Sequence, residues 1–315
     1  QEKEMAQKGT VIKMEDTAKA IRDTYTRIKT SDYSITQKRI RPYDIVLKVL
    51  IYLSAVITVG MLVGMLAYIL VKGIPNINWE ILSTQPSALK KTYGILPNII
   101  NTLYIIVLSI IIATPIGIGA AIYLNEYAKK GRLVRLIEFT AESLSGIPSI
   151  IYGLFGFTFF GIMMKLSYSI WSGALTLTIM ILPIIIRTTQ EALKTVPELY
   201  REGALGIGAT KWYMIRTIIL PCSLPGIITS VILSIGRIVG ESAALIFTAG
   251  IGTNLPNGLF SHLSTSGATL SVQLYQYAGK GYNDISFAIA AVLIIVVFLI
   301  NLLTRLIQNR LQRKK

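Results

Sequence analysis

REGALGIGATKWYMIRTIILP, residues 201–221, interrupts a strongly apolar chain with a short charged stretch that holds Gly203, Gly206 and Gly208 and closes on Leu220-Pro221. Of 315 residues, 52% are hydrophobic and 15% charged, and mean hydropathy is +0.59. The apolar residues are gathered in runs instead of being spread at a helical period. Runs of roughly 18 to 27 residues suit a hydrocarbon core about 30 Å thick at about 1.5 Å per residue. The expected fold is an all-α membrane protein with six transmembrane helices, at 44–71, 98–124, 143–164, 170–186, 221–249 and 285–307. The fourth is expected to be the shortest. The first run starts more than 40 residues into the sequence and is too long for the apolar region of a signal peptide, so it should remain as an anchor.

Charge placement sets the orientation, because Lys and Arg flanks stay on the cytoplasmic side. Residues 1–43 hold 10 basic residues, 125–142 hold 4, 187–220 hold 5 and the tail after 304 holds 5, which is 24 of the 31 in alternate segments. Both termini are therefore expected in the cytoplasm. The organisation that follows is a basic cytoplasmic segment at 1–43, a transmembrane domain at 44–310 with a cytoplasmic loop at 189–220, and a cytoplasmic tail at 311–315. The net charge of +15 fits topology and anionic headgroups, and no basic and aromatic module for nucleic acid is visible. A single cysteine, Cys222, excludes an internal disulfide and a cysteine metal site. The single histidine, His262, reads as a solvated residue of an external loop.

Local signals shape the connections. Residues 11–28 have one weak amphipathic face, and disorder is an equal alternative there. Pro75, Pro86, Gly94 and Pro97 break the first external segment, with room for a short interfacial helix near Trp79. A second external segment is expected at 250–284. In the cytoplasmic loop, Thr195 and Glu198 form a Thr-x-x-Glu capping box with Pro197 in the first turn. The glycines at 206 and 208 should stop that helix, and Ala209 to Leu220 should begin another. Glycines and prolines inside the spans read as close helix packing, with kinks lining a pathway as the alternative.

The pattern Glu202-Gly203-Ala204, three residues, Gly208, nine residues, Ile218, one residue, Leu220-Pro221 resembles the EAA loop of ABC importer permeases, E-A-A-x3-G-x9-I-x-L-P. Every spacing matches, and the one departure is Gly203 in place of alanine. Small residues let such a helix seat in a groove on an ATPase, and a glutamate offers a charged anchor. The resemblance implies that Glu202, Gly203, Ala204 and Gly208 couple the chain to that partner.

Wider stretches at 101–128, 145–156, 182–212 and 224–250 are similar to the phosphate-specific transport permeases, and LNEYA, RTTQEAL, LIFTAG and LYQYA favour the A-type subunit, PstA. The resemblance covers roughly residues 43–310. It implies a type I (MetI-like) permease in the inner membrane, with a homologous C-type permease, two ATPase subunits and an external phosphate-binding protein as partners. One departure is Gly240-Glu241-Ser242-Ala243-Ala244 where the family commonly reads G-E-T-A-P.

Apart from Lys48 near a run's boundary, Arg237 and Glu241 are the full charges in the interior of the apolar runs. An arginine at membrane depth costs about 2.5 to 3.5 kcal/mol on insertion scales, so it should face a cavity or a partner. A spacing of four would put both side chains on one helix face, where they either neutralise each other or line the substrate pathway. Arg237 offers a permanently charged planar fork for a tetrahedral oxyanion. Glu241 can accept a hydrogen bond from the proton that phosphate retains and sulfate lacks. In the family resemblance these are the residues associated with phosphate passage. Asn98, Asn101, Thr102, Ser145 and Ser149 are further candidates for a polar path, and Arg187 reads as an anchor at the headgroups. No P-loop or catalytic constellation is present, so ATP hydrolysis is expected in another chain, with no cofactor or metal. Two alternatives remain open: the same fold carrying another oxyanion or small solute, or a channel or regulatory membrane protein without an ATPase.

Overall fold

The structure, a computed structural model, describes residues 19–24, 42–87, 92–129, 131–255, 258 and 260–313. It divides into two units, residues 1–63 and 64–315. Within the first, 19–24 form a helical turn, the described part of the weakly amphipathic stretch expected at 11–28, and the remainder of that stretch lies outside the described residues. The helix α1 (Pro42–Gly73) crosses the division. It exposes side chains such as Ile51, Val56 and Met61, as a helix facing lipid requires.

In the second unit, α2 (Trp79–Ser83) begins at Asn78, whose side chain accepts the Ile81 amide proton at 2.8 Å. A two-residue hairpin follows, β1 (Pro86–Ser87) against β2 (Thr92–Tyr93), antiparallel with Pro86 opposite Tyr93. The second span is α3 (Leu96–Ile122), extended by a π turn at Tyr123–Tyr127.

The third span differs from a continuous 143–164 helix. An amphipathic helix, α4 (Arg132–Ser145), ends at Gly146, and α5 (Ser149–Gly156) with a π segment (Phe157–Met163) leaves it at 101°. Gly146 and Pro148 explain the corner, since Pro148 bars the residue before it from continuing a helix. Eight α residues and seven π residues reach roughly 22 Å at helical rise, short of a full hydrocarbon core. There are thus five straight candidate spans among the described residues, and a sixth if the bent pair counts as one.

The fourth span is the shortest of the five unbent candidate spans among the described residues, as expected, but it is longer than 170–186. Helix α6 (Ile170–Lys194) runs 25 residues, past Ile186 and through Pro183, which membrane helices tolerate when neighbours satisfy the freed carbonyl. Then come α7 (Glu198–Gly206), α8 (Lys211–Met214), a π turn at Ile215–Ile219 and α9 (Leu220–Val239). The Leu220 amide bonds the Ile215 carbonyl five residues back, just before Pro221, which has no N–H to give. The fifth span therefore starts at Lys211 and ends at Val239, not at 221–249. The short helix α10 (Ala243–Thr248) is separate from it. Last are α11 (Leu270–Gly279) and α12 (Asn283–Arg313).

The main core gathers Ile105, Leu177, Ile181, Ile185, Ile238 and Leu245 from α3, α6, α9 and α10. Close approach needs small residues, as the sequence suggested. A Cβ on Gly117 would meet Ile185 at 2.6 Å, and one on Gly153 would meet the Ala244 backbone at 2.8 Å. A second core joins Ala121, Leu193, Val196, Ala204, Met214, Ile215 and Ile219. It ties the ends of α3 and α6 to α7 and to the start of the fifth span.

Candidate functional site

The corner between α7 and α8 is built from local rules. Gly208 has φ +87°, the left-handed region that favours glycine. Its amide donates to the Leu205 carbonyl at 3.0 Å, and the Ala209 amide to the Ala204 carbonyl at 3.0 Å. That pair is the Schellman arrangement, and its apolar contact is supplied by Ala209 against the buried Ala204. Thr210 then caps α8 by accepting from the Tyr213 amide at 3.3 Å. The expected capping box does not form. Thr195 closes α6 instead, its hydroxyl donating to the Ala192 carbonyl at 2.8 Å, while Pro197 precedes α7 without a side-chain bond. The unbroken run of α6 through Lys194 places Thr195 in a helical backbone conformation, which a cap residue does not adopt.

Within the corner the motif residues have different surroundings. Glu202, Gly203 and Gly208 are exposed, whereas Ala204 is buried in the second core. Glu202 and Gly203 form an outward face, and Ala204 seats the helix. Nothing lies within 4 Å of a Cβ on Gly203, so this departure from the motif leaves the interior unchanged.

The residue preceding the motif gave no signal in the sequence. Arg201 uses all five of its N–H groups. Its Nη2 donates to Glu126 Oε1 at 3.0 Å and to the Leu193 carbonyl at 2.8 Å, its Nη1 to the Val196 carbonyl at 2.8 Å and to Glu198 Oε2 at 3.1 Å, and its Nε to Glu126 at 3.3 Å. The Arg201 and Glu126 side chains are 11% and 6% exposed.

Arg237 and Glu241 do not share a helix face. Arg237 occupies the last turn of α9, exposed, with no hydrogen bond or ion pair among the described residues. It lies within electrostatic range of Tyr152, whose hydroxyl donates to the Leu144 carbonyl at 2.7 Å. The helix stops at Gly240, and Glu241 falls in the break before α10. There it is 7% exposed, its Oε1 accepting the Ala244 amide proton at 3.0 Å. Its carbonyl accepts the Ser271 hydroxyl at 2.7 Å. A proline at 244 has no N–H, so this carboxylate contact depends on the alanine found here.

In the segment expected to be external, His262, Leu263 and residues 267–273 pack inward instead of lying in solvent. His262 is 3% exposed, with Nε2 2.7 Å from Asn101 Oδ1 and Nδ1 3.2 Å from Thr265 Oγ1. Burial holds its pKa below the ordinary histidine value. Asn98 and Asn101 both donate to the Ala268 carbonyl, and Thr102 accepts the Leu270 amide proton at 2.9 Å. These three are buried anchors of the outer segment. Asn98 Oδ1 alone has no partner. Ser145 is exposed and donates to the Glu142 carbonyl, and Ser149 is half-buried.

Arg187 lies within α6, paired with Glu142 at 3.0 Å across a cavity of about 370 Å³ between α4 and α6 that Glu138, Gln190, Glu191 and Lys194 also line. Among the described residues no cluster of three His, Cys, Asp or Glu could hold a metal ion.

The family described as binding-protein-dependent transport system inner membrane component matches residues 113–315. The probable ABC transporter permease protein YqgI of Bacillus subtilis is 34% identical over 275 residues, 83% of this chain and 94% of that one. The phosphate transport system permease protein PstA of Haemophilus influenzae is 34% identical over 259 residues, 81% of this chain and 90% of that one. Among solved structures, a chain of a bacterial ABC transporter involved in the import of the acidic polysaccharide alginate covers 85% of this chain and 98% of its own length, with TM-score 0.61 and 19% identity. That likeness shows the fold, a multi-pass helical bundle. With the corner, the buried Ala204 seat and the apolar spans already in place, this chain belongs to the family of binding-protein-dependent transport system inner membrane components.

Proposed function

We propose that the chain is the A-type permease subunit of an ATP-driven phosphate importer in the cytoplasmic membrane, with both termini in the cytoplasm. A homologous C-type permease, two ATPase subunits and an external phosphate-binding protein complete the assembly. The observation that carries the cargo assignment is Arg237. It is an exposed guanidinium at the end of an apolar span, with no hydrogen bond or ion pair among the described residues, four residues before the buried carboxylate of Glu241. A permanent cation in that setting needs an anion or a partner chain. The relatives named for phosphate transport, such as PstA of Haemophilus influenzae, make phosphate the anion of choice. Selectivity rests mainly on the external protein, because a site that holds cargo tightly would slow release.

The outward face at Glu202 and Gly203 docks on the ATPase, and the Ala204 contact holds that face in position. ATP-driven closure below moves the two docking helices together and swings the permease halves between inward and outward access. Reconstituted complex tests this reading: phosphate-loaded binding protein should stimulate ATP hydrolysis, and Glu202→Ala should weaken the stimulation. Stimulation by another oxyanion but not by phosphate would assign a different cargo.

A further inference from the structure

Four segments separated in sequence meet at the Glu126–Arg201 pair. The Glu126 carboxylate accepts from Asn125 Nδ2 at 2.7 Å and from Arg201 on α7, and the Glu126 carbonyl accepts Lys211 Nζ, at the head of α8, at 3.1 Å. The same Arg201 holds the Leu193 and Val196 carbonyls at the end of α6. A guanidinium with every donor taken, against a carboxylate almost without exposure, is a stiff joint, since its planar fork fixes direction as well as distance. A surface pair would not be, because water screens it and both side chains remain mobile.

We propose that Arg201 and Glu126 form a strut that makes α7 and the inner end of the second span move as one body. This rests on the reading of α7 as the ATPase docking helix. Without the strut, a push on Glu202 and Gly203 is absorbed by tilting of a nine-residue helix that only Ala204 secures in the core. With it, the push enters a span of 32 residues, roughly 48 Å of helix. At the far end of that span Thr102 holds the Leu270 amide, and the adjacent Ser271 holds the Glu241 carbonyl. The chain of contacts from docking face to cargo residues is thus continuous, and Arg201 and Glu126 are positioning residues within it.

The test uses the full complex in vesicles, with phosphate uptake and ATP hydrolysis measured together. Glu126→Gln is expected to retain the ATPase but to lower phosphate moved per ATP by about tenfold, within the range of ordinary coupling free energies. Arg201→Lys keeps the charge, loses the fork and should fall in the same direction, which serves if Glu126→Gln fails to assemble. In a Cys222→Ser background, Glu126→Cys with Arg201→Cys should be uncoupled until a short bifunctional thiol reagent joins the two, which should restore uptake per ATP. An unchanged ratio in a complex that retains the ATPase overturns the strut alone, as does a cross-link that leaves uptake off while hydrolysis continues. Failure of the unsubstituted chain to retain the ATPase overturns the docking reading and the strut with it.

Discussion

His262 Nε2 and Asn101 Oδ1 stand 2.7 Å apart in the interior, joining the outer segment to the second span across 161 residues of sequence. Because Asn101 spends its amide donor on the Ala268 carbonyl, its oxygen faces the ring and selects the tautomer that carries the proton on Nε2. A second proton on the ring would place a charge in a dry site.

The pH dependence follows from that arrangement. The folded pKa lies below the ordinary value of 6.5 because burial disfavours the charged ring. The stabilisation is therefore fully present above about pH 6.5 and is lost as pH falls through the folded pKa, with a slope of up to about 1.4 kcal/mol per pH unit. Melting of the solubilised complex should show this acid-side loss, and His262→Gln, which keeps a donor for Asn101, should flatten it. An identical acid slope in the variant would mean that other groups set it.

Two glycines of the docking corner should respond in opposite directions. Gly203 sits in open space within a helix, so Gly203→Ala should steady α7 by roughly 0.5 to 1 kcal/mol. Gly208 holds a left-handed backbone, and Gly208→Ala should cost about 1 to 2 kcal/mol. Amide exchange of residues 198–206 should slow in the first variant and speed up in the second. The same direction in both would contradict the cap geometry.

Ala244→Pro removes the amide that Glu241 accepts from, at a position near the start of α10 where proline is otherwise tolerated. Ala244→Pro and Glu241→Ala should therefore be non-additive in thermal stability, coupled by about 1 to 2 kcal/mol. Additive effects would mean that the contact is not formed.

Much of the fold was legible because lipid imposes length and apolarity on a span, and the corner between α7 and α8 because glycine is needed at a left-handed position. Boundaries were less so. Thr195 and Glu198 satisfy the letter of a capping box, yet α6 continues through Lys194 and uses Thr195 to finish. The fifth span was placed ten residues late at its start, because Pro221 reads as a boundary and a π turn lets the helix pass it. Arg237 and Glu241 were found by their charge, but their relation was not, since Gly240 ends the helix between them. His262 reads as solvated in the sequence but is buried, and Glu126 carries no signal of its own: their partners lie 161 and 75 residues away, and no local pattern records such contacts.

The proposed cargo path runs through Arg237. Phosphate uptake into vesicles holding the complete complex should be abolished by Arg237→Gln while the subunits still assemble and the ATPase still binds. Uptake at the unsubstituted rate in that variant would contradict the assignment.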